Sequence, residues 1–430
     1  MAKNAYHWSK AEDPPLIDYH SVAKHRVLDG YLRRYVEVLA SNHKVEALRI
    51  NLIDGFSGGG LYRLPGNGGI HEGSPLVFLR SMKEAEAAIR CSRIKEFKVD
   101  ARFYFVETER RYLEYLKETI AERFSPDAGN GGRIHFINGD FDSNVDRIVA
   151  AIKSRGKAHR SIFLLDQYGY VDVPLPLLRN IFLNLPKAEV ILTFAVDSLI
   201  DYLSDTPQLK SAIKRLGVDG DLDLAKIEKL KAVSSDWRFL IQSQLHRALV
   251  KGAGASFFTP FFIISRQSGR SYWLVHLSNH VKARDEMAKL HWQMHTFFTH
   301  HGGAGLNMLG YDPKRDANLT GQPFVFDQEA KILTEESLMV DIPKIISANP
   351  EGKTFDELLA ETCNGTPATS EIYKNAIGAL ILYKELEVKG VQGERRRAAN
   401  RIQGGDVITL ASQRQIFDFI SAKVPRSPVR

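Results

Sequence analysis

The residues that could do chemistry in this sequence stand at the ends of apolar runs. The run ALRINLID (47–54) closes on Asp54 and breaks into a glycine turn, giving Asp-x-Phe-x-Gly-x-Gly through Asp54, Phe56, Gly58 and Gly60. ARFYFVE (101–107) ends in Glu107, RIHFIN (133–138) is followed by Asp140, and SIFLLD (161–166) ends in Asp166. Gln167, Tyr168 and Tyr170 follow Asp166. A glycine turn lets backbone come close to a ligand, and a carboxylate accepts hydrogen bonds from hydroxyl and amino groups. The turn is not a phosphate loop, because Leu61 and Tyr62 follow Gly60 where a Lys and a Ser or Thr are required. Nor is it a dinucleotide fingerprint. The glycine spacing differs, and the next strand-end acid, Glu107, lies far beyond the ~20 residues that fingerprint needs.

These residues are positioned by an alternation of apolar runs and helical patterns. Runs at 47–54, 101–107, 133–138, 161–166 and 189–196 read as strands, and stretches near 75–90, 108–124, 141–155 and 174–185 as helices. The alternation predicts a mostly parallel sheet with helices on both faces. Near-continuous apolar runs are expected of strands buried on both sides. Residues 21–41 predict an amphipathic helix, with Lys24, Leu28, Leu32, Tyr35, Val36 and Leu39 at helical spacing. Residues 197–257 read as a helical insertion. PFFIISRQ (260–267) and SYWLVHLS (271–278), joined by Ser268-Gly269-Arg270, read as a terminal hairpin. Open sheets of this kind bind ligands at the carboxyl ends of their strands, where Asp54, Glu107, Asp140 and Asp166 all fall.

That set suits S-adenosylmethionine. Glycines admit its methionyl and ribose parts, and no phosphate calls for a lysine. An acid after the second strand accepts the ribose hydroxyls, and one after the third accepts the adenine amino group. Asp166, Gln167 and Tyr168 then fall on the acceptor side. Asp166 or Gln167 would bond a reacting amino group, and Tyr168 or Tyr170 would stack on a flipped base.

On these residues the sequence resembles the class I methyltransferase fold, and more narrowly the three-Cys-motif partner family. The resemblance runs through LIDGFSGGG, HEGSPL (71–76), FYFVE (103–107), INGDFDS (137–143), LLDQYGY (164–170) and YWLVHLSNH (272–280), and covers about 20–300. It implies a Rossmann-like sheet of five parallel strands plus a terminal antiparallel hairpin, and a role for Ser74 at the substrate mouth. It also implies a dedicated partner protein of the three-Cys-motif type. The family carries Asp-Pro-Tyr-Gly after the fourth strand. Here the residues are Asp166-Gln167-Tyr168-Gly169, a departure from the proline-containing turn of enzymes that methylate base amino groups.

Plainer readings stand beside these. Glu107 could cap the following helix or pair with Arg110 or Arg111, and Asp140 could N-cap a helix starting near Asn144. Ser74-Pro75 reads as a helix N-cap and first turn, and Asp166 with its tyrosines as a strand-end acid and core rings. His291 and His295 share a helix face and could hold a metal. No Glu follows His291, so core or solvated histidines are expected there, and no metal site.

The tail has a different character. Residues 1–45 are expected to pack on a 46–300 methyltransferase-like domain, 301–325 to link, and 326–430 to form a winged helix-turn-helix. Arg395, Arg396, Arg397 and Arg401 fall in the wing. There they would straddle phosphates or enter a minor groove, unless the wing is a solvated loop or a protein-interaction module.

The net charge of +7 and pI near 9.1 suit a polyanionic partner. The two cysteines, Cys91 and Cys363, exclude a disulfide framework and point to a reducing, cytoplasmic setting. MAKNAYHWSKAEDPP lacks the apolar region of a secretory signal, and no apolar run is long enough to span a bilayer. The expectation is an S-adenosylmethionine-dependent methyltransferase brought to nucleic acid by the winged helix. The alternative is a non-catalytic nucleic-acid-binding or partner-binding protein on the same fold. A weaker one is a metal-dependent hydrolase using the strand-end acids.

Overall fold

The computed structural model describes residues 6–66, 68–124, 132–156, 160–167, 169, 171–194, 206–218, 251–264, 271–294, 299–300 and 324–411, with isolated positions between 199 and 306. The chain divides into two compact units, residues 1–303 with 307–330, and 304–306 with 331–430. No helix among the described residues is long and apolar enough to cross a membrane.

The first unit is built on one large sheet. Its heart is β1 (Ala47–Asp54), β4 (Lys98–Glu107), β5 (Ile134–Asn138), β6 (Arg160–Leu165) and β7 (Ala188–Phe194), all parallel. β8 (Phe257–Ile264) and β9 (Ser271–Ser278) follow as an antiparallel pair, with β9 against β7. The predicted linker ends in a strand: β11 (Phe324–Val325) pairs with β10 (Thr299–His300), which extends the sheet beyond β8. The nine strands run in the order β11-β10-β8-β9-β7-β6-β1-β4-β5. From β8 to β5 this is the strand order of a class I methyltransferase sheet. The Ser268–Arg270 turn and most of 197–257 lie outside the described residues.

Both sheet faces are covered, which is why the strand sequences are almost wholly apolar. On one face α1 (Tyr19–Ala40), α2 (Ser74–Ser92) and α3 (Arg110–Arg123) bury Val27, Leu28, Leu32, Leu76, Phe78 and Leu116 against Ile50, Leu52 and Phe105. On the other, α4 (Phe141–Ser154), α5 (Leu175–Asn184) and α6 (Pro207–Leu216) bury Val145, Ile148, Leu178, Ile181 and Ile213 against Ile53, Val106 and Phe163. α7 (Val281–Gln293) returns to the first face, where Met287 and Leu290 join the core. Two features have no counterpart in the sequence expectations. A short hairpin, β2 (Leu61–Arg63) with β3 (Ile70–Glu72), follows the glycine turn. The chain before α1 runs along it, with Ile17 donating to the Arg63 carbonyl at 2.9 Å and Arg63 to that of Pro15 at 2.9 Å.

The second unit is a winged helix-turn-helix. Its helices are α8 (Gln328–Ser347), α9 (Phe355–Thr362) and α10 (Ser370–Leu382). α9 opens with a capping box between Thr354 and Glu357. β13 (Leu386–Lys389) and β14 (Val407–Leu410) form the wing, and β12 (Lys353–Thr354) adds a third antiparallel strand beside β14.

Candidate functional site at the carboxyl edge

The site forms where the topology reverses. β1 has β4 on one side and β6 on the other, so the loops after β1 and β6 diverge and leave a crevice. The glycine turn is tied to both neighbours. Gly55 donates to the Leu164 carbonyl at 2.9 Å, and Ser57 donates through its amide and hydroxyl to the Val106 carbonyl at 2.9 and 3.0 Å. Gly58, at φ +58°, turns its N–H onto Glu107 Oε2 at 2.9 Å. A side chain is strained in that left-handed conformation. Gly60 also has positive φ, at +84°.

Asp54 is wholly buried, and its Oδ1 accepts the Phe56 amide at 3.1 Å. Burial pushes its carboxyl up to about 7, against the lowering effect of the Ser74 hydroxyl and the Phe56 amide. Ser74 faces this carboxyl, yet Oδ2 makes no bond of good geometry among the described residues. A buried acceptor with no donor is costly and is the feature a ligand would relieve. Ser74 is thus not the N-cap. Gly73 holds that position, Ser74 opens the helix, and Pro75 follows. Phe56 packs at the edge of the core beside Phe141.

Glu107 is the second acid. Beyond the Gly58 amide it accepts the Glu109 amide at 2.9 Å and the Thr108 hydroxyl at 3.1 Å, both on Oε1. A carboxylate has about four acceptor sites, so one remains and the Thr108 hydroxyl is exchangeable. Its predicted pairing with Arg110 or Arg111 does not form: Arg110 binds Glu114 and Arg111 lies by Glu109. Asp140 takes its plainer role. It is the N-cap of α4, and its two oxygens accept the Ser143 amide at 2.8 Å and hydroxyl at 2.9 Å. The Ser143 amide holds this carboxyl below its ordinary range.

On the acceptor side, Asp166 follows β6 and is clamped by Lys24 of α1, whose Nζ lies 2.6 and 2.7 Å from the two oxygens. A quarter of the Asp166 side chain touches solvent (26%), although dense protein surrounds the carboxylate; Lys24 is 10% exposed. Burial raises the Asp166 carboxyl, but the Lys24 ammonium outweighs it and the net shift is downward. Gln167 is buried and serves the backbone, its Oε1 accepting the amides of Asp172 and Val173 at 3.1 Å. Its amide nitrogen has no partner among the described residues. Tyr168 and Tyr170 lie outside the described residues.

The segment before α1 supplies groups that the motifs do not contain. Trp8 is buried and donates to the Leu61 carbonyl at 2.6 Å. Its indole lies flat against the turn: a Cβ on Gly58 would come within 2.8 Å of the ring, and one on Gly59 would overlap it. Tyr62 and Tyr112 close around the indole edge-on, with centroids 5.4 and 5.1 Å away. His25 stacks on His71, with ring nitrogens 3.0 Å apart, and burial pushes its imidazole down to about 3. His291 is buried in the core and burial holds it well below the ordinary range; His295 lies outside the described residues. Among the described residues no group of three or more His, Cys, Asp or Glu could hold a metal.

In the wing, the four predicted arginines part company. Arg396 pairs with the buried Asp406 through two bonds of 2.7 and 3.0 Å, and with Glu394 at 2.9 Å. Arg396 therefore holds the wing shut and is not available to a phosphate. Arg396→Ala is expected to lower the melting temperature of the second unit, because it leaves Asp406 buried without its cation; Arg397→Ala is expected to leave it unchanged. Arg395, Arg397 and Arg401 are exposed, with Arg395 lying 3.5 Å from Glu387. α10, the recognition helix by position, buries Ile372, Tyr373, Ala376, Ile377 and Leu380. Lys374 is folded over the Phe355 ring, 5.3 Å from its centroid.

Residues 310–393 match a family model, the GMT-like wHTH domain. No curated protein matches the chain. Among solved structures, a Legionella pneumophila protein is 13% identical, covering 65% of this chain and 93% of that one, with a TM-score of 0.34. A protein of Methanococcus maripaludis, described as a putative S-adenosyl-L-methionine-dependent methyltransferase, is 12% identical, covering 61% and 90%, with a TM-score of 0.23. A Galdieria sulphuraria protein, described as a putative sarcosine dimethylglycine methyltransferase, is 7% identical, covering 57% and 85%, with a TM-score of 0.21. Likenesses this distant say nothing of function, and the fold assignment rests on the strand order.

Proposed function

We propose that the chain is an S-adenosylmethionine-dependent methyltransferase acting on, or brought to, nucleic acid. The observation that carries this reading is the crevice at the switch point. There a glycine turn locked onto Glu107 lies beside Asp54, a buried carboxyl with one unpartnered oxygen among the described residues. The donor set fits the cofactor in part. Asp54 would take its cationic methionyl end, and Glu107 would take a ribose hydroxyl at its open acceptor site. Asp140 is committed to capping α4, so the adenine amino group would have to find another acceptor. When bound, S-adenosylmethionine supplies an electrophilic methyl group on a sulfonium. The protein's part is to orient the acceptor and exclude water, with Asp166 holding the acceptor's proton-bearing group. The winged helix and the exposed Arg395, Arg397 and Arg401 support recruitment to phosphates.

A second reading is favoured by a specific observation. Lys24 already occupies both oxygens of Asp166, and Trp8 already lies on Gly58 and Gly59. Both fit an accessory protein on this fold, in keeping with the partner protein that the three-Cys-motif resemblance implies. Isothermal titration with S-adenosylmethionine and S-adenosylhomocysteine separates the two. Micromolar binding that Glu107→Ala abolishes is expected, and would justify a tritium-methyl screen over DNA, RNA and protein. Absence of binding at millimolar cofactor would sink the enzymatic reading.

A further inference from the structure

The amino-terminal half of the sheet carries a basic cluster that the motifs do not include. The face that buries Ile53 and Phe163 near the carboxyl edge turns polar lower down. β1 contributes Arg49 and Asn51 there, and β4 contributes Asp100 and Arg102, with Arg49 beside Asp100 and Asn51 beside Arg102 in register. Alternation puts these four side chains on one face. Arg155, at the end of α4, reaches into the same group: its guanidinium lies 2.6 Å from Asn51 Oδ1 and 3.4 Å from Asp100 Oδ2, and its side chain is only 10% exposed. Arg147 of α4 acts on His135 of β5 together with Arg102 and Arg155, and the exposed Arg133 lies beside β4, its carbonyl accepting the Phe103 amide at 2.8 Å.

Within this cluster Asp100 is the one carboxylate that meets an arginine among the described residues. Burial lowers the Arg155 guanidinium, and repulsion from Arg102 and Arg49 lowers it further despite Asp100. His135 is held down by burial and by Arg102, Arg155 and Arg147. Like charges held together against repulsion call for an anion from outside. The winged unit is a poor source of basic charge: residues 331–430 contain fourteen Lys and Arg against thirteen Asp and Glu. Six of the chain's seven net positive charges therefore lie outside it.

We infer that this face, formed by Arg49, Arg102, Arg133 and Arg147 around the buried Arg155, is a binding surface for the phosphate backbone of a nucleic acid. A polymer suits it better than one small anion. The arginines are spread over adjacent strands about 4.8 Å apart and a helix end, so they span on the order of 10 Å rather than converging on a point. Arg49 lies five residues below Asp54 on β1, on the order of 17 Å away. The surface therefore tethers the polymer and takes no part in the chemistry at Asp54. The inference rests on the nucleic-acid reading above and names the surface responsible.

The test is fluorescence anisotropy of labelled single- and double-stranded DNA and RNA oligonucleotides with the full chain, across a salt series. Two variants are compared after circular dichroism confirms their fold: Arg49→Glu/Arg133→Glu/Arg147→Glu and Arg395→Glu/Arg397→Glu/Arg401→Glu. The sheet variant is expected to bind more than about tenfold more weakly. Its log–log salt slope should shrink by about 2–3, at roughly 0.7–0.9 for each phosphate no longer neutralised. The wing variant should weaken less. Unchanged affinity and slope in the sheet variant, beside a wild type that binds, would overturn this inference alone. Wild-type chain that binds no oligonucleotide would overturn it together with the nucleic-acid reading. Inorganic pyrophosphate displacing the oligonucleotide at equal phosphate concentration would overturn it in favour of a small-anion site.

Discussion

Asp54→Asn is expected to unfold at higher urea than the wild type at pH 8 and at nearly the same urea at pH 4. The carboxyl titrates near 3.8 when exposed and near 7 in the fold. The sign follows from linkage. The folded chain holds this proton more tightly than the unfolded chain, so the stability it contributes is complete below pH 4. That stability is lost as pH rises toward 7 and is flat above. A difference of this size corresponds to a cost on the order of 4 kcal/mol at pH 8. Asparagine keeps the bond from the Phe56 amide and buries no charge, so it should recover a large part of that cost, about 2–3 kcal/mol. The four tryptophans all precede residue 300, so their fluorescence reports on the first unit without interference from the second. The same residue sets the expected pH dependence of cofactor binding. A cationic ligand engages the ionised carboxylate, so affinity for S-adenosylmethionine should fall about tenfold per pH unit below 7 in the wild type. Asp54→Asn should bind more weakly and show no such dependence. A variant that is less stable at pH 8, or that keeps wild-type affinity, would remove Asp54 from the site.

Such a group is stable when empty only at a cost, and that cost is invisible in the sequence. The central strands are legible because β6, β7 and the carboxyl-terminal halves of β1 and β4 are buried on both faces, which leaves continuous apolar runs bounded by polar residues. The strand-end acids are legible for the same reason, since a carboxylate marks where an apolar run leaves the core. What the acids do is not. Asp140 and Glu107 occupy equivalent places in the sequence pattern. Ser143 turns the first into a helix cap, while Gly58 and Thr108 hold the second at the crevice. The glycines mislead in part. They read as space for a ligand, whereas Gly59 makes room for the protein's own Trp8. No local pattern announces that packing, because it joins segments about fifty residues apart. Lys24 does leave a signal. It stands in the stripe of α1 that otherwise carries Leu28, Leu32 and Tyr35, and a lysine on a core-facing stripe demands a buried acid. Which acid is not legible, because the partner lies 142 residues away.

That pair gives the second large effect. Lys24→Met is expected to destabilise the first unit by about 2–3 kcal/mol at pH 8, somewhat less than the ~3–5 kcal/mol for breaking a fully buried pair, because Asp166 keeps some contact with water. The deficit should hold down to about pH 4 and narrow as pH falls below it. The Lys24 ammonium holds the Asp166 carboxyl below its ordinary range, so the stability it gives is present above pH 4 and is lost as pH falls through the folded value. A protonated Asp166 has no need of a cation. Asp166→Asn alone should also destabilise, by stranding the ammonium, and the double variant should cost much less than the sum of the two; that shortfall from additivity is the coupling of the pair. Additive single effects would mean that the two groups do not interact in solution. The cycle also bears on function, because an ammonium held by both oxygens of Asp166 occupies the place an acceptor amine would take. In a working enzyme Lys24 must leave that place, and Lys24→Met should then raise methyl incorporation into the acceptor while lowering stability. In an accessory protein the pair is a permanent staple between α1 and the end of β6, and its removal should cost stability with no gain in transfer.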